Sequence, residues 1–309
     1  MLTDQEIQDQ IALLSNDLTS GAAEIALRAI TVFQSASLGT EHLSPAQFQH
    51  RLAQIAKLLI DAQPAMSPLF HLANRVLVAC EGQSNVPSMQ EALRNELSNF
   101  ETMLCESAAK IADRTKPLIP PGSLIFAYSF SSTVASCLLS ARASGKFFRV
   151  VCTESRPSFE GRKMAKMLAD GGIEVMSTFD SAMGLIVPNC SAAFMGCDGI
   201  GRPGIVNKVG SWLLALACRE VGIPLYVLTG TEKFTNDERI FAFENHQRPG
   251  EEVWADAPKG VKVLNRQFEL IPFSLVTGIV TENGIFQEKD VDQYISNLTA
   301  HEQLSKQTI

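Results

Sequence analysis

Apolar positions follow two different rhythms along the chain, and the change comes near residue 118. Before it they recur every third or fourth position. In GAAEIALRAITVFQSAS, Ala22, Ile25, Ala26, Ala29, Ile30 and Phe33 share one helical face. PAQFQHRLAQIAKLLIDAQ repeats the pattern behind Ser44, an N-cap residue type, with Pro45 at the first helical position. PLFHLANRVLVAC and SMQEALRNELSNFETMLCESAAKIA continue it. TKPLIPPGS then interrupts with three prolines and a glycine, which cannot extend a helix. The pattern predicts a helical domain over residues 1–118 and a second domain over 119–309.

In the second part short apolar runs alternate with amphipathic segments. SLIFAYS, FFRVVCTE, IEVMSTF, SAAFMGCD and PLYVLTG read as buried strands, and SSTVASCLLSARAS, EGRKMAKMLADGG, SAMGLIVP and NKVGSWLLALACREVG as helices between them. FELIPFSLVTGIV is expected to hold a sixth strand, with a closing helix from Glu288. Right-handed crossovers wind such an alternation into a mostly parallel sheet covered on both faces, a Rossmann-like α/β domain. Ligands of such sheets bind at the carboxyl ends of the strands. Ser129 and Ser131, Glu154 and Arg156, Asp180 and Ser181, residues 198–208 and residues 229–233 all fall there.

Residues 196–208, GCDGIGRPGIVNK, carry Gly199, Gly201 and Gly204 at the dinucleotide spacing G-x-G-x-x-G. That fingerprint belongs in the first strand-to-helix turn with an acidic residue about 20 positions on. Here it follows the fourth strand, Pro203 interrupts it, and no acidic residue follows PLYVLTG before Glu232. The glycines are therefore expected in a loop, with a helix opening at Asn207 or Lys208. On that reading Asp198, Asn207 and Lys208 face one cavity beside helix N-terminal amides. The lysine and amides suit a phosphate and the carboxylate suits hydroxyls, as in a phosphorylated polyol. The plainer alternative is that Asp198 caps the loop and Lys208 pairs with it.

Composition narrows the classes. A net charge of −7 argues against a surface that coats nucleic acid. Seven dispersed cysteines without a C-x-x-C pair imply reduced thiols and a cytoplasmic setting, and five histidines at no ligand spacing imply no metal site. The polar start MLTDQEIQDQ lacks a signal peptide's apolar core, and runs such as WLLALAC are too short to span a membrane. No cofactor is expected. Trp212 and the leucines after it read as the buried face of a helix. Trp254 and the polar stretch around it read as an excursion between the last two strands, suited to subunit contacts.

TESRPSFEGRKMAKMLADGGIEVMSTFDSA, GCDGIGRPGIVNKVGSWLLALACREVGIPLYVLT and NRQFELIPFSLVTGIVTENG resemble the family of the alpha, beta and delta subunits of translation initiation factor 2B. Its other members are isomerases of methylthioribose 1-phosphate and ribose 1,5-bisphosphate. The resemblance implies a homodimer through the C-terminal domain. It also implies that Asp198 matches the isomerases' catalytic aspartate and that Ser129 stands where their catalytic cysteine does. Glu154, Arg156, Asn207 and Lys208 match substrate-binding positions. In TSGAAE the step R-G-A keeps Gly21 but has Ser20 for arginine, and in DAQPAMSP Gln63 replaces another arginine. A serine hydroxyl is several units less acidic than a thiol and is a poor proton carrier without an adjacent base. Two hypotheses follow. One is a subunit-like protein that binds a phosphorylated sugar or nucleotide without isomerising it. The other is an aldose–ketose isomerase using Asp198 with Ser129 or Cys152.

Overall fold

The structure is a computed structural model and describes residues 4–17, 20–64, 66–236, 241 and 248–305. The chain forms two compact units, one of residues 1–105 with 297–309 and one of residues 106–296. The first is helical, with α1 (Asp4–Ser15), α2 (Ala22–Ser37), α3 (Pro45–Ala62) and α4 (Ser67–Cys80), and it holds most of α5 (Val86–Thr115). Ile25, Ala26, Ala29 and Phe33 are buried along one face of α2 together with Phe48, Leu52 and Leu72. Ser44 and Gln47 form a capping box around Pro45, as the local sequence predicts.

The second unit is built on a seven-stranded sheet. Its strands are β1 (Leu124–Tyr128), β2 (Arg149–Thr153), β3 (Glu174–Thr178), β4 (Ala192–Met195), β7 (Leu225–Leu228), β9 (Gly278–Thr281) and β10 (Gly284–Phe286). The order is β10-β9-β7-β4-β1-β2-β3, all parallel except β10. The chain winds outward from β1 to β3, returns to β4 on the other side of β1, and winds outward again. β1 and β4 therefore bound the switch point, and ligands of such sheets bind at the strands' carboxyl ends there. Helix α6 (Ser132–Ala143) follows β1, α7 (Glu160–Asp170) follows β2, α8 (Met183–Ile186) precedes β4, and α9 (Ser211–Val221) precedes β7. Ile125, Ala127, Val150, Phe194, Leu228 and Val280 line the sheet's core.

Two parts of the sequence reading need correction. The glycine stretch is not a loop: β5 (Gly199–Gly201) and β6 (Gly204–Lys208) form an antiparallel hairpin turning at Arg202 and Pro203. With β8 (Phe268–Ile271) they make a separate three-stranded sheet. Asn207 and Lys208 thus end a strand, and α9 opens only at Ser211, behind Gly210 at φ 103°. Gly204 has φ 143°, and a Cβ there would lie 2.6 Å from the Ile271 carbonyl oxygen, so the glycine admits β8. The segment FELIPFSLVTGIV likewise holds two strands, β8 and β9, in different sheets.

Trp212 and Leu213 are not buried; they are 40% and 66% exposed, while Leu214, Ala215 and Cys218 face the core. Of the excursion expected between the last strands, residues 237–240 and 242–247 lie outside the described residues. No helix among the described residues is long and apolar enough to cross a membrane.

Candidate functional site at the switch point

β1 ends at Tyr128, and the next residue, Ser129, takes a left-handed conformation at φ 59° before α6 begins. A non-glycine residue in that region is uncommon and costs free energy. The turn aims its hydroxyl at α7, where Ser129 Oγ donates to Glu160 Oε2 at 2.8 Å. Ser155 and Phe159, flanking the β2–α7 connection, are left-handed as well. Asp180 steadies that connection by accepting the backbone N–H groups of Ser155 and Arg156 at 2.8 and 2.9 Å. Gly161 brings α7 hard against the end of β2, since a Cβ there would sit 1.7 Å from the Thr153 carbonyl oxygen. The seating of Glu160 therefore depends on that glycine.

Lys208 reaches Glu160 from the neighbouring small sheet. Its Nζ lies 3.4 Å from Glu160 Oε1 and 3.5 Å from Ser158 Oγ, and its side chain is 5% exposed. Asp198 follows β4 and is held by its backbone, whose N–H donates to the Val206 carbonyl at 2.9 Å. Its partly exposed carboxylate accepts no hydrogen bond from the described residues. Burial lifts its pKa from 3.8 to about 6, with Lys233 and Lys208 pulling down and Glu160 pushing up. Lys233, buried after β7, donates from Nζ to the Cys197 carbonyl at 2.5 Å and so braces the residue before Asp198. Gly196 lets β4 press against the cap of α6, because a Cβ there would meet Ser131 Oγ at 2.6 Å. Ser129, Glu160, Lys208, Asp198 and Lys233 thus form one electrostatically linked group at the switch point.

The other candidates lie elsewhere. Asn207 alternates with Lys208 along β6 and so takes the opposite face. Its amide donates to Ser211 Oγ at 2.8 Å rather than joining the lysine. Glu154 pairs with Arg162, whose guanidinium stacks on Phe159 with 4.0 Å to the ring centroid. Arg156 is exposed, lies 5.0 Å over the same ring and donates to the Val253 carbonyl at 3.4 Å. Gly21 is the N-cap of α2 in the first unit. Near it, Gln63 donates to the carbonyls of Leu14 and Asp17, both at 2.9 Å, so it ties backbone together instead of presenting charge.

Two further expectations change. The N-terminus of α9 is turned to a carboxylate of the chain itself: Glu269 on β8 accepts the N–H groups of Gly210 and Trp212, both at 2.7 Å. Cys152 is fully buried, and burial pushes its pKa up to about 12, which removes it as a proton carrier. No cluster of metal-ligating side chains occurs among the described residues. Lys233 lies within the strand-end stretch 229–233 that the sequence singles out, whereas Glu160 escaped the sequence reading although it is the E of the E-G step in TESRPSFEG.

The family model for the initiation factor 2 subunit family matches residues 18–288. The chain belongs to this family. An eIF-2B subunit 2-like protein of Pyrococcus furiosus is 30% identical over 273 residues, covering 88% of this chain and 93% of that protein. A ribose 1,5-bisphosphate isomerase of Methanocaldococcus jannaschii is 28% identical, covering 90% of this chain and 91% of the isomerase. The crystal structure of the Pyrococcus horikoshii OT3 translation initiation factor eIF-2B superposes with a TM-score of 0.79 at 29% identity, covering 94% of this chain and 100% of that one. The initiation factor 2 subunit family thus includes both translation-factor-like proteins and sugar-phosphate isomerases, and this member shares the mixed α/β fold of both.

Proposed function

We propose that this chain is an initiation factor 2B subunit-like protein that binds a small phosphorylated sugar or nucleotide at the switch point and does not isomerise it. The observation that carries this reading is the hydrogen bond from Ser129 Oγ to Glu160 Oε2 at 2.8 Å. Aldose–ketose isomerisation moves a proton between two carbons and needs two groups that exchange protons near neutral pH. Asp198, at about 6, is one such group. The second position, where the resemblance implies a thiol, holds a hydroxyl whose proton is already directed to a carboxylate. Binding is favoured by Lys208 and Lys233, two buried ammonium groups that act electrostatically on Asp198.

Asp198 itself supports the second reading, an isomerase. A partly exposed carboxyl at about 6, accepting no hydrogen bond from the described residues, suits proton transfer at neutral pH. Thermal-shift titration with ribose 1,5-bisphosphate and 5-methylthioribose 1-phosphate tests the binding, since a ligand of the folded chain raises Tm whether or not it reacts. A rise in wild type that Lys208→Met removes supports the site. No shift with either compound, or an equal shift in the variant, overturns it.

We further infer a homodimer through the second unit. Trp212 and Leu213 on α9 and Leu185 on the adjoining α8 are 40%, 66% and 74% exposed, a group of large apolar side chains that a second copy would cover.

A further inference from the structure

We propose that Ser129 is a nucleophile, and that Ser129, Glu160 and Lys208 open small anionic esters through a covalent Ser129 acyl-enzyme. The inference goes beyond the binding reading: it shares the Ser129–Glu160 hydrogen bond with that reading and adds the backbone at Ser129 and the amides that follow it. A serine in left-handed conformation between a strand and a helix, at the carboxyl end of a central parallel strand, is the backbone arrangement of a nucleophile elbow. The side chains complete a relay. Ser129 Oγ donates to Glu160 at 2.8 Å, and the other oxygen of Glu160 is oriented by Lys208 at 3.4 Å, giving nucleophile, base and orienting group in sequence. A hydroxyl that hands its proton to a carboxylate is a weak acid–base catalyst but a competent attacking group. The backbone N–H groups of Phe130 and Ser131, next along the chain, donate to no described residue. The N–H after the nucleophile supplies half of the oxyanion site in such turns.

The reaction balances without a cofactor. Ser129 Oγ adds to the ester carbonyl carbon as its proton passes to Glu160, and the carbonyl electron pair moves onto oxygen beside the Phe130 and Ser131 N–H groups. Collapse breaks the ester C–O bond, and the departing alkoxide takes the proton from Glu160. Water then attacks the Ser129 ester, giving a proton to Glu160 that returns to Ser129 Oγ as the free carboxylic acid leaves. Two buried ammonium groups, Lys208 and Lys233, favour an ester that itself carries negative charge.

The test uses the full chain with a fluorophosphonate probe and with the 4-nitrophenyl half-ester of succinate, beside neutral 4-nitrophenyl acetate. The proposal expects one probe adduct, mapped by mass spectrometry to the peptide holding Ser129, and a burst of one equivalent of nitrophenolate, faster with the succinate ester. Both disappear in Ser129→Ala, and Glu160→Gln slows labelling about 100-fold or more. A folded wild type that takes no adduct, or an adduct at another residue, overturns the proposal even if the alanine variant fails to fold. Sugar-phosphate thermal shifts read in the same samples separate the two readings. A shift without labelling removes only the nucleophile, and labelling without a shift removes only the phosphate ligand.

Discussion

Replacing Asp198 by asparagine tests the electrostatics of the site through stability. Burial raises this carboxyl from 3.8 to about 6, so the folded chain holds its proton more tightly than the unfolded chain does. The contribution to stability is therefore fully present below pH 3.8 and is lost as pH rises through about 6. A shift of this size corresponds to about 3 kcal/mol. Asparagine keeps the shape and removes the titration. The stability of wild type minus that of Asp198→Asn should fall by about 3 kcal/mol between about pH 3 and pH 7 and stay flat above. Both tryptophans, Trp212 and Trp254, lie in the second unit, so their fluorescence in urea titrations follows that unit. A difference that is constant with pH, or that grows in favour of wild type as pH rises, would contradict burial as the dominant influence on this carboxyl. It would mean that Lys208 and Lys233 outweigh burial.

Three other changes probe how the site is held. Gly161→Ala places a Cβ 1.7 Å from the Thr153 carbonyl oxygen and should destabilise the second unit by about 3 kcal/mol or more, read in the same urea titration. Glu269→Ala leaves the Gly210 and Trp212 N–H groups without their carboxylate and should cost about 1–3 kcal/mol; an unchanged midpoint would show that water caps α9 equally well. Leu213→Glu charges the exposed face of α9 and should turn a dimer into a monomer in light scattering with Tm preserved, whereas an unaffected dimer would place the interface elsewhere.

The doubly wound sheet was legible because its inner strands β2, β1, β4, β7 and β9 are mostly buried and stand out as apolar runs between helices. Ser44, Pro45 and Gln47 announced α3 through purely local chemistry. The hairpin at 199–208 was not legible. Glycine and proline depress strand propensity, and the pairing that makes β6 a strand comes in part from β8, 60 or more positions away. The same misreading put Asn207 and Lys208 at a helix start and hence on one face. Strand alternation separates them. Asp198, Ser129 and Lys208 were found because each lies at a strand end. Glu160 is the first residue of a helix, and its role depends on a contact with Ser129 that spans 31 positions. Trp212 was misjudged because an exposed apolar face and a buried one carry the same periodicity.

The central claim is that this site accepts a sugar phosphate and leaves it unchanged. The most direct measurement is phosphorus and carbon NMR of ribose 1,5-bisphosphate and of 5-methylthioribose 1-phosphate incubated with the full chain, wild type beside Asp198→Asn. The expected result is line broadening of the ligand signals by the wild-type chain and no ketose in either sample. Ketose that accumulates with wild type and is absent with Asp198→Asn would contradict it and make the chain an isomerase.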